Sequence, residues 1–303
     1  MAQKVERIRP DAHTSTLGFK KIRKVIEMKR KIAIALATLL VMTCFAGCAG
    51  QGGKVLRVGM ECAYAPYNWS QSTNANGAVQ IKDSKDFAYG YDVMMAKYLA
   101  EKIGYKLEIN RMDWDSLPPA VLSGAIDCAI AGQSITAERQ MTLDFTTPYY
   151  YASLVCLVKA DSKFASATGI TGLSGAVCTS QLNTVWYDVC LPQIPNANIL
   201  TPMDSAPAML VALTSGACEL VVTDMPTAMA AVSVYPELKL LDFTNSSDNF
   251  SVSAEEINIG ISLQKGNTEL LDLLNNALSG LTEDDFEKMM NDAIKVQPLE
   301  TNE

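Results

Sequence analysis

An eight-residue pattern occurs twice in this chain. Ala120-Val121-Leu122-Ser123-Gly124-Ala125-Ile126-Asp127 returns in kind, about ninety residues later, as Ala212-Leu213-Thr214-Ser215-Gly216-Ala217-Cys218-Glu219. Each copy follows a proline-bearing helix start and precedes an apolar run. Each reads as a helix that stops on glycine, where left-handed backbone is needed, with an acidic residue opening the strand that follows. A helix-turn-strand unit used twice predicts two lobes of similar build, although Ser-Gly-Ala is also a common helix-to-strand turn.

The pattern around the two copies is that of an α/β chain. Residues 55–59 read as a buried strand and residues 92–103 as an amphipathic helix, with Val93, Ala96, Leu99, Ala100 and Ile103 on one face and Gly104 as its stop. Residues 106–109 are a second strand, 115–123 a short helix and 126–131 a third strand. Strands alternating with helices build parallel sheets. Residues 152–159 form an apolar run suited to crossing between lobes, residues 245–253 are polar and turn-rich, and 257–263 is again strand-like. Two helices close the chain, at 268–279 and 283–294, the second with Thr282 as N-cap and Asp285 in a capping-box position. Two crossings between two α/β lobes predict a hinge with a cleft beside it.

The first fifty residues stand apart. Met28-Lys29-Arg30-Lys31 is a basic cluster, residues 32–46 are apolar apart from Thr38 and Thr43, and Phe45-Ala46-Gly47-Cys48 closes the run with small residues before a cysteine. Positive, apolar and small-residue regions in that order make an export signal. Its end resembles the lipobox of bacterial lipoproteins, in which cleavage precedes a cysteine that is then acylated; Phe45 stands where Leu or Val is usual. The apolar run also approaches the roughly 18 residues of a membrane span, and either reading exports the rest of the chain. Residues 1–27 lie upstream of a natural start at Met28 and are expected to be an extension, 28–47 the signal segment and 48–54 a tether.

Beyond Cys48 the chain keeps fifteen Lys/Arg against thirty Asp/Glu, a net charge of −15. Such a body repels nucleic acid and anionic lipid. The one histidine, His13, falls in the leader, so the exported part has no His base for a Ser or Cys nucleophile and no imidazole metal ligand. Six cysteines remain, Cys62, Cys128, Cys156, Cys178, Cys190 and Cys218, without a CxxC pair. That spacing disfavours zinc and thioredoxin-like chemistry. Several sit in apolar runs and read as buried thiols, while a Cys178–Cys190 bridge stays open.

Only three arginines remain: Arg57, Arg111 and Arg139. Arg139 lies in Ser134-Ile135-Thr136-Ala137-Glu138-Arg139, just past the strand at 126–131, with Thr136 able to cap the next helix. Open α/β sheets place ligands at that end of their strands. A guanidinium there can hold a carboxylate through two parallel hydrogen bonds; it can equally be a surface residue paired with Glu138 or Asp144.

Several motifs resemble, in order, the polar amino-acid solute-binding proteins of ABC importers, of the histidine/glutamine-binding type. They are Leu56-Arg57-Val58-Gly59-Met60-Glu61-Cys62-Ala63-Tyr64-Ala65-Pro66-Tyr67, Gly90-Tyr91-Asp92-Val93, Asp113-Trp114-Asp115-Ser116-Leu117-Pro118, Ser123-Gly124-Ala125-Ile126-Asp127, the Ser134–Arg139 stretch, and Asp144-Phe145-Thr146-Thr147-Pro148-Tyr149-Tyr150. The resemblance implies a two-lobed, periplasmic-binding-protein-like type II fold with discontinuous lobes and a two-strand hinge, lobe 1 at 55–155 plus 252–303 and lobe 2 at 156–251. It implies a monomer that captures a free polar L-amino acid and hands it to a membrane permease, lipid-anchored on the outer face of the cell membrane or periplasmic, with no cofactor, metal or catalytic residue.

Residue by residue, the family's carboxylate-binding arginine resembles Arg139, helped by Ser134, and its backbone positions facing the ligand resemble Ala131 and Gly132. On the second lobe the family's Gly-Thr-Thr turn reads Leu182-Asn183-Thr184, of which only Thr184 matches. Asp224 fits the aspartate that pairs with the α-ammonium, and Tyr64 and Trp114 fit the aromatics that enclose the side chain. Glu61 takes a position often acidic, which suits a cationic side chain by charge and cation–π attraction and also admits an amide; as a bare residue it can be a solvated strand end. Rival functions are a dehydratase of the prephenate or arogenate type on the same scaffold, with Glu61 as acid, an amino-acid sensor subunit and an adhesin.

Overall fold

The computed structural model describes residues 53–298. The expected extension at 1–27, the signal segment, Cys48 and the tether through Gly52 lie outside the described residues.

Two five-stranded mixed sheets form the frame. In the first, Val55–Met60 lies parallel to Lys106–Arg111 on one side and to Cys128–Ala129 on the other, and Ser262–Gln264 runs antiparallel between Cys128–Ala129 and Leu143–Phe145. In the second, Val177–Thr179 lies parallel to Asn198–Ile199 and to Leu220–Asp224, and Leu154–Lys159 runs antiparallel to Leu220–Asp224 and Leu238–Leu241. Residues 154–158 and 220–224 are buried throughout. Strands covered on both faces need continuous apolar sequence, and Leu-Val-Cys-Leu-Val supplies it.

The chain passes between the sheets twice, and the two passages pair. Tyr150–Tyr151 is antiparallel to Asn258–Ile259, and the Ala152 amide donates to the Ile257 carbonyl at 3.0 Å. The protein is therefore two-lobed, the first lobe discontinuous, with a two-strand hinge. The crossing strand falls earlier than the apolar run at 152–159 predicts. Leu154–Lys159 belongs wholly to the second sheet, which takes up the chain at Leu154 rather than at 156. Apolarity marked burial in that sheet; the crossing itself is made by two tyrosines.

The repeated pattern has a repeated structure. Leu117–Ser123 and Ala206–Ser215 are helices with proline in the first turn, and each ends on a glycine in left-handed backbone, Gly124 at φ 72° and Gly216 at φ 81°. The acidic residue that follows each caps the neighbouring parallel strand. Asp127 Oδ2 accepts from the Arg57 amide at 2.7 Å, and Glu219 Oε2 accepts from the Val177 amide at 3.0 Å. In the first lobe a 3-10 turn, Trp114–Ser116, precedes the helix, where the sequence predicts one helix over 115–123. Helix Tyr91–Lys102 buries Val93, Ala96, Leu99 and Ala100, while Ile103 becomes its C-cap and is only half-buried. Thr282 and Asp285 form a reciprocal capping box at the start of Glu283–Val296. All six cysteines of the described residues are buried free thiols, so Cys178 and Cys190 are not bridged.

Candidate functional site

The parallel strands deliver the two chemically distinctive residues to equivalent places. Past Cys128–Ala129 the chain forms a loop, and Thr136 caps the next helix by accepting from the Arg139 amide at 3.3 Å. Past Leu220–Asp224 the chain turns directly into a helix that Asp224 itself caps, Oδ1 accepting from the Thr227 amide at 2.8 Å. Arg139 and Asp224 thus stand at the carboxyl ends of matching strands in opposite lobes, and both line one cavity.

That cavity spans about 430 Å³ of space between atoms, its opening to solvent included, of which only about 20 Å³ is free room for small molecules in this closed form. Glu61, Tyr64, Trp114, Gly132, Ser134, Arg139, Thr184 and Asp224 all line it. Ala131 does not; it is fully buried just ahead of Gly132. Among the residues singled out from sequence, it alone stands outside the lining.

Arg139 folds back over its own loop. Nη1 donates to the Ser134 carbonyl at 2.9 Å, Nη2 reaches across to the Asn183 carbonyl at 2.7 Å, and the guanidinium lies 5.5 Å from the centre of the Trp114 ring. The surface alternative does not hold: Asp144 pairs with Lys265 at 3.5 Å, and no ion pair of the described residues includes Arg139. Burial pulls the Arg139 guanidinium down to about 10, against the opposing charges of Glu138 and Asp188.

Asp224 is 2% exposed. Its Oδ2 accepts from the Tyr64 hydroxyl of the first lobe. Burial raises its pKa, and the bonds from Tyr64 and Thr227 hold it back. Tyr64 is packed from two sides, stacked on Tyr67 with centroids 4.7 Å apart and tilted against Trp186 at 6.1 Å. Gly132 has φ 63°, and a Cβ there would lie 2.7 Å from the Tyr64 ring, so only glycine lets the loop close on that ring.

At the far end, Glu61 is buried where Val55–Met60 runs out. Burial pushes it up to about 7, partly offset by the Gln181 amide, whose Nε2 donates to Oε1 at 3.3 Å. Thr184 holds its turn, its hydroxyl donating to the Gln181 carbonyl at 2.7 Å. Asn183, at φ 54°, donates from Nδ2 to Asp115 Oδ1 at 2.8 Å. Bonds from Tyr64, Gln181, Arg139 and Asn183 all join one lobe to the other, so the cleft is closed.

The sequence reading passed over four participants. Gln181 and Trp186 flank the Leu182–Thr184 turn, and Glu256 arrives from the short hinge helix Ala254–Ile257, whose one local signal is the Ser253–Glu256 capping box. Asp92, fully buried, accepts from the Tyr149 hydroxyl and the Asn68 amide, each at 2.7 Å, and the Tyr149 oxygen accepts from the Gly132 amide at 3.1 Å. Its signal was visible as a lone acid in the first turn of an apolar helix face. Among the described residues, no group of three His, Cys, Asp or Glu side chains is placed to hold a metal, and no helix is long and apolar enough to cross a membrane.

The chain's similarities agree with this geometry. The sequence profile described as bacterial extracellular solute-binding proteins, family 3, matches residues 56–294. A probable histidine-binding protein of Neisseria gonorrhoeae is 28% identical over 278 residues, 85% of this chain and 92% of the relative. An ancestral arginine-binding protein solved with arginine is 29% identical, with a TM-score of 0.63 over 80% of this chain and 99% of its own. An ancestral arginine-binding protein solved with glutamine is likewise 29% identical, with a TM-score of 0.61 over 78% and 96%.

Proposed function

Because the chain belongs to the bacterial extracellular solute-binding proteins, family 3, we propose that it captures a free L-amino acid with a cationic side chain between its lobes and delivers it to the permease of an ABC importer. An α-amino acid is a zwitterion, and the cavity sets Arg139 of the first lobe and Asp224 of the second on its wall, beside the further acids Glu61 and Glu256. Arg139 with Ser134 and Thr184 takes the carboxylate; Asp224 and the Tyr64 oxygen take the α-ammonium. Closure removes water from both pairs and strengthens them.

The Glu61 carboxylate, buried at the remaining end of the cavity, carries the choice of side chain. A buried carboxylate wants a positive N–H donor, and Trp114 with Tyr64 offers aromatic surface to a cation. Arginine, lysine or histidine fits this end; glutamine, a donor without charge, fits less well, and glutamate not at all. No residue is assigned a catalytic role. The exported chain is read as a monomer, periplasmic or held to the outer face of the cell membrane through acylated Cys48.

Calorimetry of the purified chain, stripped of ligand by unfolding and refolding, against arginine, lysine, histidine, glutamine and glutamate tests the reading. One or more cationic amino acids should bind at least tenfold more tightly than glutamine. Binding of glutamate in preference to all of them would refute it.

A further inference from the structure

Beyond Arg139 the cavity opens into a wider groove with about 750 Å³ of room. First lobe, second lobe and hinge helix all wall it. Five carboxylates line it, Asp115, Glu138, Asp188, Glu255 and Glu256, against one cation, Arg139, and no lysine. Two of the five are engaged: Asp115 accepts from Asn183, and Glu256 Oε2 from the Ser253 amide at 2.6 Å. Glu138, Asp188 and Glu255 have no side-chain hydrogen bond or ion pair among the described residues. Asp188 sits above the usual carboxylate range, first through burial and then through the charge of Glu138.

A neutral group in the same wall lacks a partner too. Gln133 is 1% exposed and lines this groove but not the inner cavity, and its amide oxygen Oε1 is buried with no hydrogen-bond partner. Buried acceptors are rarely left unmade. The carboxylates lack a positive charge and the amide oxygen lacks an N–H donor, and one ammonium or guanidinium group supplies both.

We propose that this groove is an outer subsite for the ammonium or guanidinium end of a cationic amino acid, occupied before the ligand passes Arg139 into the inner cavity. Arg139 lines both spaces, so a ligand can set its carboxylate on the guanidinium while its side chain lies among Glu138, Asp188 and Gln133. Fixed negative charge at a cleft mouth raises the encounter rate of cations, and salt removes that gain. The inference rests on the cationic ligand proposed for the inner cavity.

Stopped-flow tryptophan fluorescence tests it, since Trp114 and Trp186 both line the inner cavity. The probes are L-arginine and L-glutamine, on the unaltered chain, on Glu138→Gln/Asp188→Asn and on Gln133→Leu. At low salt the double variant should slow arginine association about tenfold, with dissociation within twofold, and the deficit should vanish near molar salt. Gln133→Leu should slow arginine association while the melting temperature holds or rises. Glutamine association should stay within twofold throughout. Arginine association unchanged in both variants, or glutamine slowed equally, overturns the outer subsite and leaves the inner cavity standing. Failure of the unaltered chain to bind any of arginine, lysine and histidine overturns both.

Discussion

Asp224 gives one oxygen to the Thr227 amide and the other to Tyr64, whereas Glu61 has only the Gln181 amide at 3.3 Å. The difference decides what each substitution does. Asp224→Asn keeps the capping oxygen and loses the charge, so the fold should melt near its normal temperature. Affinity should fall by about 2–5 kcal/mol, roughly thirtyfold or more, because the ligand ammonium is left buried without its counter-charge. Arg139→Ala should cost as much from the carboxylate end; calorimetry showing near-native affinity for both variants would end the zwitterion reading. Glu61 behaves otherwise, since its carboxyl is pushed up to about 7. An acid whose pKa is raised by folding holds its proton more tightly folded than unfolded. The stability it brings is complete below the unfolded value of about 4.3 and is lost as pH rises through 7. Glu61→Gln should therefore stabilise the ligand-free protein at pH 8, by up to about 4 kcal/mol, and leave it unchanged at pH 4. Arginine affinity should run the opposite way, falling about tenfold per pH unit below 7 in the unaltered protein and flat in the variant. Equal melting shifts at both pH values would remove Glu61 from the account.

The two helix-turn-strand units were legible because their signals are local. A proline in the first turn, a glycine in left-handed backbone and an acid on the next strand are read within a dozen residues, and each recurs in the second lobe. Gly124 has open space where a Cβ would go, and Gly216 has only the end of Lys159 at 3.6 Å. Alanine at either therefore meets no clash and costs only the left-handed backbone, about 1 kcal/mol. Matching losses on urea denaturation are expected for Gly124→Ala and Gly216→Ala; a loss at one position alone would mean that the units are alike in letters but not in mechanics. The helix Ala254–Ile257 did carry a local signal that went unread, the Ser253–Glu256 capping box. The 150–151 crossing was not legible: it is short, and what fixes it is pairing with a segment about a hundred residues away, Tyr151 with Asn258 and Tyr150 with Ile259. Such pairings leave no periodicity to read.

Across the whole molecule the pattern is the same. Arg139 could be singled out from the chain as one of three arginines placed past a strand, and Asp224 and Glu61 only through the family resemblance, whereas Gln181, Trp186 and Glu256 join the cavity where two lobes meet. Closure is where that meeting can be tested. Asn183 contributes twice: its carbonyl accepts from Arg139, and its side chain ties to Asp115 in the opposite lobe. Its φ of 54° is one that asparagine tolerates and glycine adopts freely. Asn183→Gly therefore removes the tie to Asp115 without straining the turn and leaves the carbonyl in place. One lost hydrogen bond of about 1 kcal/mol shifts the open–closed balance about fivefold towards open, and apparent affinity falls with the closed fraction. Arginine affinity should weaken about fivefold, with a larger radius of gyration in solution scattering at subsaturating ligand. Asn183→Ala should weaken binding further, because alanine also pays the strain of the left-handed turn. If Asn183→Gly binds as tightly as the unaltered chain, the Asp115 tie does not contribute to closure, and the remaining lobe-to-lobe bonds of Tyr64, Gln181 and Arg139 suffice.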